Sequence, residues 1–129
     1  MNHAFHLSFV VPNKELARSF YIDTLGCSVG RDNDTWFDIL FFGHQLTIHQ
    51  ASEKMPAFTI NHFGPILDKK EWLTVIDKCE SNNVEVILPP TIKSLKTEDE
   101  SGKFIVKDPS GNVLEFKYYL NVNKTVSSR

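Results

Sequence analysis

The chain reads as one series of elements given twice: a strand, a helix and three strands, then a strand, a helix and three strands again. The repeat lies in the pattern and not in residue identities. It constrains the fold more than composition does, because two equivalent units side by side would place equivalent strands symmetrically about a shared cavity.

The first series starts at residues 4–11, where His6, Ser8 and Val10 alternate with Phe5, Leu7, Phe9 and Val11. Pro12 ends that strand, and Asn13 is a helix N-cap. A helix is predicted over 14–25, with Leu16, Ala17 and Phe20 on its apolar side and Gly26 as its stop. Strands follow at 28–32, 35–42 and 44–50, the last two joined through Gly43 in a tight hairpin. In the second series, 59–67 is predicted as a strand, Asp68 as an N-cap and 69–82 as a helix. Trp72, Val75, Ile76 and Cys79 share one face of that helix. A strand at 84–88 is broken by Pro89-Pro90, a polar loop runs over 91–101, and strands at 102–107 and 112–119 flank the turn Asp108-Pro109-Ser110-Gly111. The segment 121–129 is polar and expected to fray.

Three polar residues interrupt these apolar strands: His6 in AFHLSFVV, His62 in FTINHFGPIL and Glu115 in GNVLEFKYY. Burying an unpaired imidazole or carboxylate is unfavourable, so each needs a partner. Two histidines and one carboxylate can satisfy one another on a shared divalent metal, leaving coordination positions open. Alone, a histidine on an apolar strand is more often a hydrogen-bonded core residue.

The bulk numbers exclude several classes. A length of 129 residues suits one domain with a real core. The net charge of −2 gives no electrostatic signal for nucleic acid or an anionic membrane. No apolar run approaches the roughly 20 residues of a membrane helix. Two cysteines are too few for a disulfide scaffold and suit a reducing cytoplasm; the N-terminus reads as a first strand and not as a signal peptide.

The strings HLSFVV, LARSFYIDTLG, WFDILFFGHQLTIH, NHFGPIL and KDPSGNVLEFK resemble the vicinal oxygen chelate superfamily, which takes in glyoxalase I, extradiol dioxygenases, fosfomycin-resistance thiol transferases and bleomycin-resistance proteins. The resemblance covers about residues 4–120. KDPSGNVLEFK carries it most specifically: a strand, a turn and a strand bearing an inward Glu. It implies an α+β fold of two βαβββ modules, about 3–52 and 57–120, forming a cupped, incomplete barrel within a single domain over 1–120. It also implies metal ligands from the first strand of each module and from the last strand, here His6, His62 and Glu115. A fourth family position is Gln45. Glyoxalase-like relatives usually carry a carboxylate there and extradiol dioxygenases a non-ligand histidine, so Gln45 departs from both.

Other residues share faces with these. His49 lies with Gln45 and Thr47 by period two, as a general base in the cavity or as a strand-end surface histidine. Ser8 either contacts substrate or fills space beside His6. Lys117 is a partner for a substrate anion or a snorkelling chain at the rim. Tyr119 offers a hydroxyl near the mouth. Trp36 and Phe41 lie on opposite faces, so one lines the pocket and the other packs on a helix. The resemblance and these residues together imply a cytoplasmic, homodimeric metalloenzyme acting on an oxygen-bearing small molecule. Fe2+ is the favoured ion ahead of Mn2+, Ni2+ or Zn2+, and dioxygenase-like chemistry is favoured over a glyoxalase-type lyase or a fosfomycin-type thiol transferase. The non-enzymatic alternative is drug sequestration.

Overall fold

Two four-stranded mixed sheets carry the chain, each built from one βαβββ series. The computed structural model describes residues 4–60 and 62–122. These fall into two compact units: residues 4–60 with Asp108–Asn112, and His62–Lys107 with residues 113–122. The expected frayed tail lies, from residue 123 onward, outside the described residues.

The first unit holds β1 (His6–Val11), α1 (Lys14–Arg18), a π-helical stretch (Ser19–Thr24), β2 (Ser28–Asp32), β3 (Trp36–Phe41) and β4 (His44–Gln50). The sheet order is β1-β4-β3-β2, with β1 and β4 parallel and the other pairs antiparallel. Asn13 caps α1 by accepting from the Leu16 amide. The predicted helix continues, but its second half is π-helical, and Gly26 ends it at φ +80°. Ala17, Phe20 and Tyr21 are its buried face, whereas Leu16, expected there, is 53% exposed. The three lie at the i, i+3, i+4 spacing, which leaves Leu16 on the solvent side. Phe42 (φ +50°) and Gly43 (φ +85°) are both left-handed, the backbone a two-residue type I′ hairpin requires.

The second unit holds β5 (Ile66–Leu67), α2 (Lys69–Ser81), β6 (Glu85–Lys93), β7 (Ser101–Lys107) and β8 (Val113–Tyr119), in the order β5-β8-β7-β6. The parallel pair is again first with last, β5 with β8. Asp68 caps α2 through the Glu71 amide, and Trp72, Val75, Ile76 and Cys79 are buried as their spacing predicts. The Trp72 indole donates to the Phe116 carbonyl at 2.8 Å, which ties helix to sheet.

Two strand expectations need correction. The strand predicted over 59–67 is reduced to Ile66–Leu67 and a single bridge at Phe63, so His62 lies just outside regular pairing. Pro65 has no amide to donate there. Pro89-Pro90 does not break its strand: β6 runs through both, with a register shift between Leu88 and Thr91. Because β6 is the sheet edge, a proline's missing N–H removes little pairing.

Candidate functional site

On the first unit's sheet, register and the two-residue period separate an apolar face from a polar one. Phe9, Val11, Phe37, Ile39, Phe41, Leu46 and Ile48 are buried, and Tyr21 packs on Phe9 and Phe41. The other face carries three cross-strand rows: His6, Gln45 and Leu40; Ser8, Thr47 and Asp38; and His49 with Trp36. His6 and Ser8 are exposed, and Gln45 and His49 are half-buried. Trp36 and His49 sit with ring centroids 6.2 Å apart. Phe41 is the member of its pair that packs inward, and Trp36 faces the polar side.

The centre of this face is Asp38, a carboxylate only 3% exposed. It accepts from Thr47 Oγ1 at 2.6 Å and from Arg31 Nε, while Gln45 Nε2 stands 3.5 Å away. Burial pushes its pKa up, but the Arg31 and Thr47 bonds, Arg31's charge and His6 outweigh that and hold it below the ordinary carboxylate value. Sequence reading missed Asp38 and Arg31. The signal for Asp38 was present: a charged residue inside the apolar run WFDILFF is the same anomaly that singles out His6.

In the second unit, β8 turns Leu114, Phe116 and Tyr118 inward and leaves Val113, Glu115, Lys117 and Tyr119 half-buried on the opposite face. His62 Nε2 lies 3.9 Å from Glu115 Oε1, and Lys117 Nζ is 4.0 Å from the same oxygen. Lys117 also sits 5.6 Å from the Tyr119 ring centre. The bond to Tyr119, and then the Glu115 charge, raise the Lys117 pKa against the opposing effect of burial. His62 is brought to Glu115 because residues 63–67 run beside β8: Glu115 N donates to Phe63 O, and Lys117 N to Pro65 O. Gly64 permits this approach, since a Cβ there would stand 1.9 Å from the Glu115 carbonyl oxygen.

Imidazole and carboxylate are donors that suit a divalent ion, and the His62–Glu115 pair supplies one of each. His6 belongs to the first unit. Among the described residues, no group of three or more His, Cys, Asp or Glu side chains is assembled that could hold a metal ion.

Comparison with known proteins decides the family. The family model for the glyoxalase/bleomycin resistance protein/dioxygenase superfamily matches residues 3–116. The chain belongs to that superfamily. A solved glyoxalase/bleomycin resistance protein/dioxygenase from Alicyclobacillus acidocaldarius is similar at 28% identity, covering 96% of each chain, with a TM-score of 0.79. A virulence protein from Salmonella typhimurium is similar at 18% identity, over 92% of this chain and 98% of that one, with a TM-score of 0.69. A lactoylglutathione lyase from Agrobacterium tumefaciens is similar at 15% identity, over 92% and 94%, also at 0.69. The latter two likenesses bear on the fold alone. No curated protein matches the chain in sequence. The superfamily fold accounts for the two mixed sheets and their repeated order. Among the described residues, no helix is long and apolar enough to cross a membrane.

Proposed function

We propose that the protein is a divalent-metal-dependent enzyme acting on an oxygen-bearing small molecule, with His6, His62 and Glu115 as the metal ligands. The observation that most supports it is the 3.9 Å approach of His62 Nε2 to Glu115 Oε1, a histidine and a carboxylate far apart in sequence. His6 enters by its equivalent place in the first module. A bound ion would hold two vicinal oxygens of the substrate and polarise them as a Lewis acid. The chain's own groups do the rest. Lys117, charged and beside Glu115, offsets negative charge on a bound oxygen. On this reading His49 and Tyr119 move or donate protons, while Ser8 and Trp36 shape the surface the substrate meets.

A ligand set without a fourth acid favours iron(II) and dioxygenase-like chemistry over a glyoxalase-type lyase or a fosfomycin-type thiol transferase. Elemental analysis of anaerobically purified protein tests the reading. About one divalent ion per chain is expected for the wild type, and far less for His62→Ala and His6→Ala. Equal metal in wild type and His62→Ala removes His62 from the site.

One observation favours a second reading. The Lys117 ammonium already lies 4.0 Å from Glu115 and supports its charge without a metal. On that reading the protein sequesters a small molecule and performs no reaction, and metal content is negligible in all three proteins. A homodimer is part of the proposal, since β2 is an edge strand exposed along its whole length. Light scattering in solution tests it: a monomer mass removes this part.

A further inference from the structure

The first unit contains a cavity of about 510 Å³ whose lining includes Gly30, Arg31, Asp38, Leu40 and Gln45. That volume suits a small-molecule ligand. Arg31 is fixed in place from two sides. Its Nε donates to the buried Asp38 carboxylate, and its guanidinium carbon stands 4.9 Å from the Trp36 ring centre. Asp38 is held in turn by Thr47. The arginine side chain nevertheless remains 67% exposed, against 5% for Asp38. The ion pair uses Nε, so Nη1 and Nη2 remain as donors in a rigid planar fork, the geometry that grips a carboxylate or phosphate through two parallel bonds. An arginine pre-organised in this way loses less freedom on binding than a mobile one. Beside the fork, Leu40 is 56% exposed and offers an apolar surface. Gly30 keeps the floor open, because a Cβ there would already stand 3.3 Å from the Asp38 Cβ.

We propose that this cavity binds a small molecule bearing a carboxylate or phosphate on an apolar body, with Arg31 gripping the oxyanion and Asp38 and Trp36 holding Arg31 in position. The proposal deepens the functional reading by naming the substrate class, and rests on that reading only in treating the ligand as a substrate. Its residues lie within one unit, and none of them is a proposed metal ligand. An ordinary structural ion pair is the competing account of Arg31 and Asp38, and under it the guanidinium plays no part in ligand binding.

The test is an NMR titration of the isotopically labelled full chain in the presence of EDTA. The probes are benzoate, phenyl phosphate and neutral benzamide, followed through the Arg31 Nε–H and the Gly30 amide. One or both anions should shift these signals saturably, and which of the two binds tighter identifies the oxyanion. Benzamide should bind at least about tenfold more weakly than the better anion, the margin of a charge-assisted pair. Arg31→Gln should weaken that anion by a similar factor and leave benzamide unchanged. Gly30→Val keeps both Arg31 and Asp38 in the chain and should abolish binding of all three probes by filling the cavity next to Asp38. Equal affinity for benzamide and the anions in the wild type overturns the proposal without recourse to any variant. So does Gly30→Val binding the anions like wild type, or binding that requires added metal. Because EDTA is present throughout, failure here leaves the metal content of the purified protein untouched, and absence of metal leaves this titration untouched.

Discussion

The phenolic hydroxyl of Tyr21 donates a 2.9 Å hydrogen bond to Oδ2 of Asp108, joining the first helical segment to a turn near the far end of the chain. Asp108 organises that turn. Its Oδ1 accepts from the Ser110 and Asn112 amides and its Oδ2 also from Asn112 Nδ2, while Asn112 Oδ1 accepts from Ile60 N. Gly111, at φ +91°, lets the turn close.

Tyr21→Phe should therefore destabilise the protein by about 1.5–3 kcal/mol, the range for a bond to a charged acceptor. A urea midpoint lowered at unchanged slope is the measurement. The pH dependence has a definite sign. Burial, and then the Asp108 charge, hold the Tyr21 pKa well above its ordinary value. Its contribution is complete below the ordinary tyrosine pKa of about 10 and is lost as pH rises beyond it. The alkaline loss of stability should be smaller in Tyr21→Phe; an identical alkaline limb would show that Tyr21 does not carry it.

Glu100 should govern part of the acid limb. The buried carboxylate accepts from Lys69 Nζ at 2.8 Å, Tyr118 OH at 2.6 Å and the Lys96 amide at 2.9 Å. These bonds lower its pKa to about 2. A depressed carboxylate stabilises the fold above its unfolded pKa, and that contribution fades as pH falls toward the folded value. Stability should decline between about pH 4.5 and 2, and Glu100→Gln should be less stable at neutral pH but decline less across that window. Parallel acid limbs for the two proteins would sink the assignment.

The double βαβββ order was legible because Asn13, Gly26, Gly43 and Asp68 punctuate it and because Trp72, Val75, Ile76 and Cys79 keep a strict helical period. The structure returns both sheets in the same order. What failed did so where tertiary context overrides local pattern. Leu16 looked buried by its spacing to Phe20, but the face that packs is Ala17, Phe20 and Tyr21, and Leu16 falls outside it. Pro89-Pro90 looked like a break by local rules, but β6 is the edge of its sheet, where the missing N–H groups remove little pairing. Of the site, sequence marked His62 and Glu115, and the structure brings those two together. It passed over Arg31, which looks like an ordinary charged residue on an edge strand. Its significance comes from Asp38 and Trp36 across the sheet, a contact that a sequence does not display.

Gly64→Ala should be among the most damaging small changes. A Cβ at Gly64 meets the Glu115 backbone, with oxygen at 1.9 Å and carbon at 2.8 Å, so the chain itself must move. The cost should reach or exceed the upper end of the about 1–3 kcal/mol typical of overpacking. The His62–Glu115 approach should be lost with it, since residues 63–67 carry His62 alongside β8. Thermal unfolding measures the first effect and a chelator-competition affinity for iron(II) the second. A variant with unchanged melting temperature would show that the strand pair tolerates separation.

Thr47→Val isolates one bond to the buried carboxylate at the centre of the first sheet. The side chain keeps its shape but loses the hydroxyl that donates to Asp38 Oδ1 at 2.6 Å. At neutral pH Asp38 is ionised, because Arg31 and Thr47 together overcome the effect of burial. Removing one of those donors should destabilise the fold by about 1.5–3 kcal/mol, and more than removing a neutral bond would. It should also raise the Asp38 pKa, as one of the bonds favouring the charged form is gone. Asp38 stabilises the fold above the ordinary carboxylate range and less as pH falls through it. The stability difference between wild type and Thr47→Val should thus narrow on acidification. Urea midpoints at pH 7 and pH 3 measure that narrowing, and Thr47→Ser, which restores the hydroxyl, should recover most of the loss at pH 7. A difference that is the same at both pH values would mean that the threonine serves a neutral partner and that Asp38 does not depend on it for its charge.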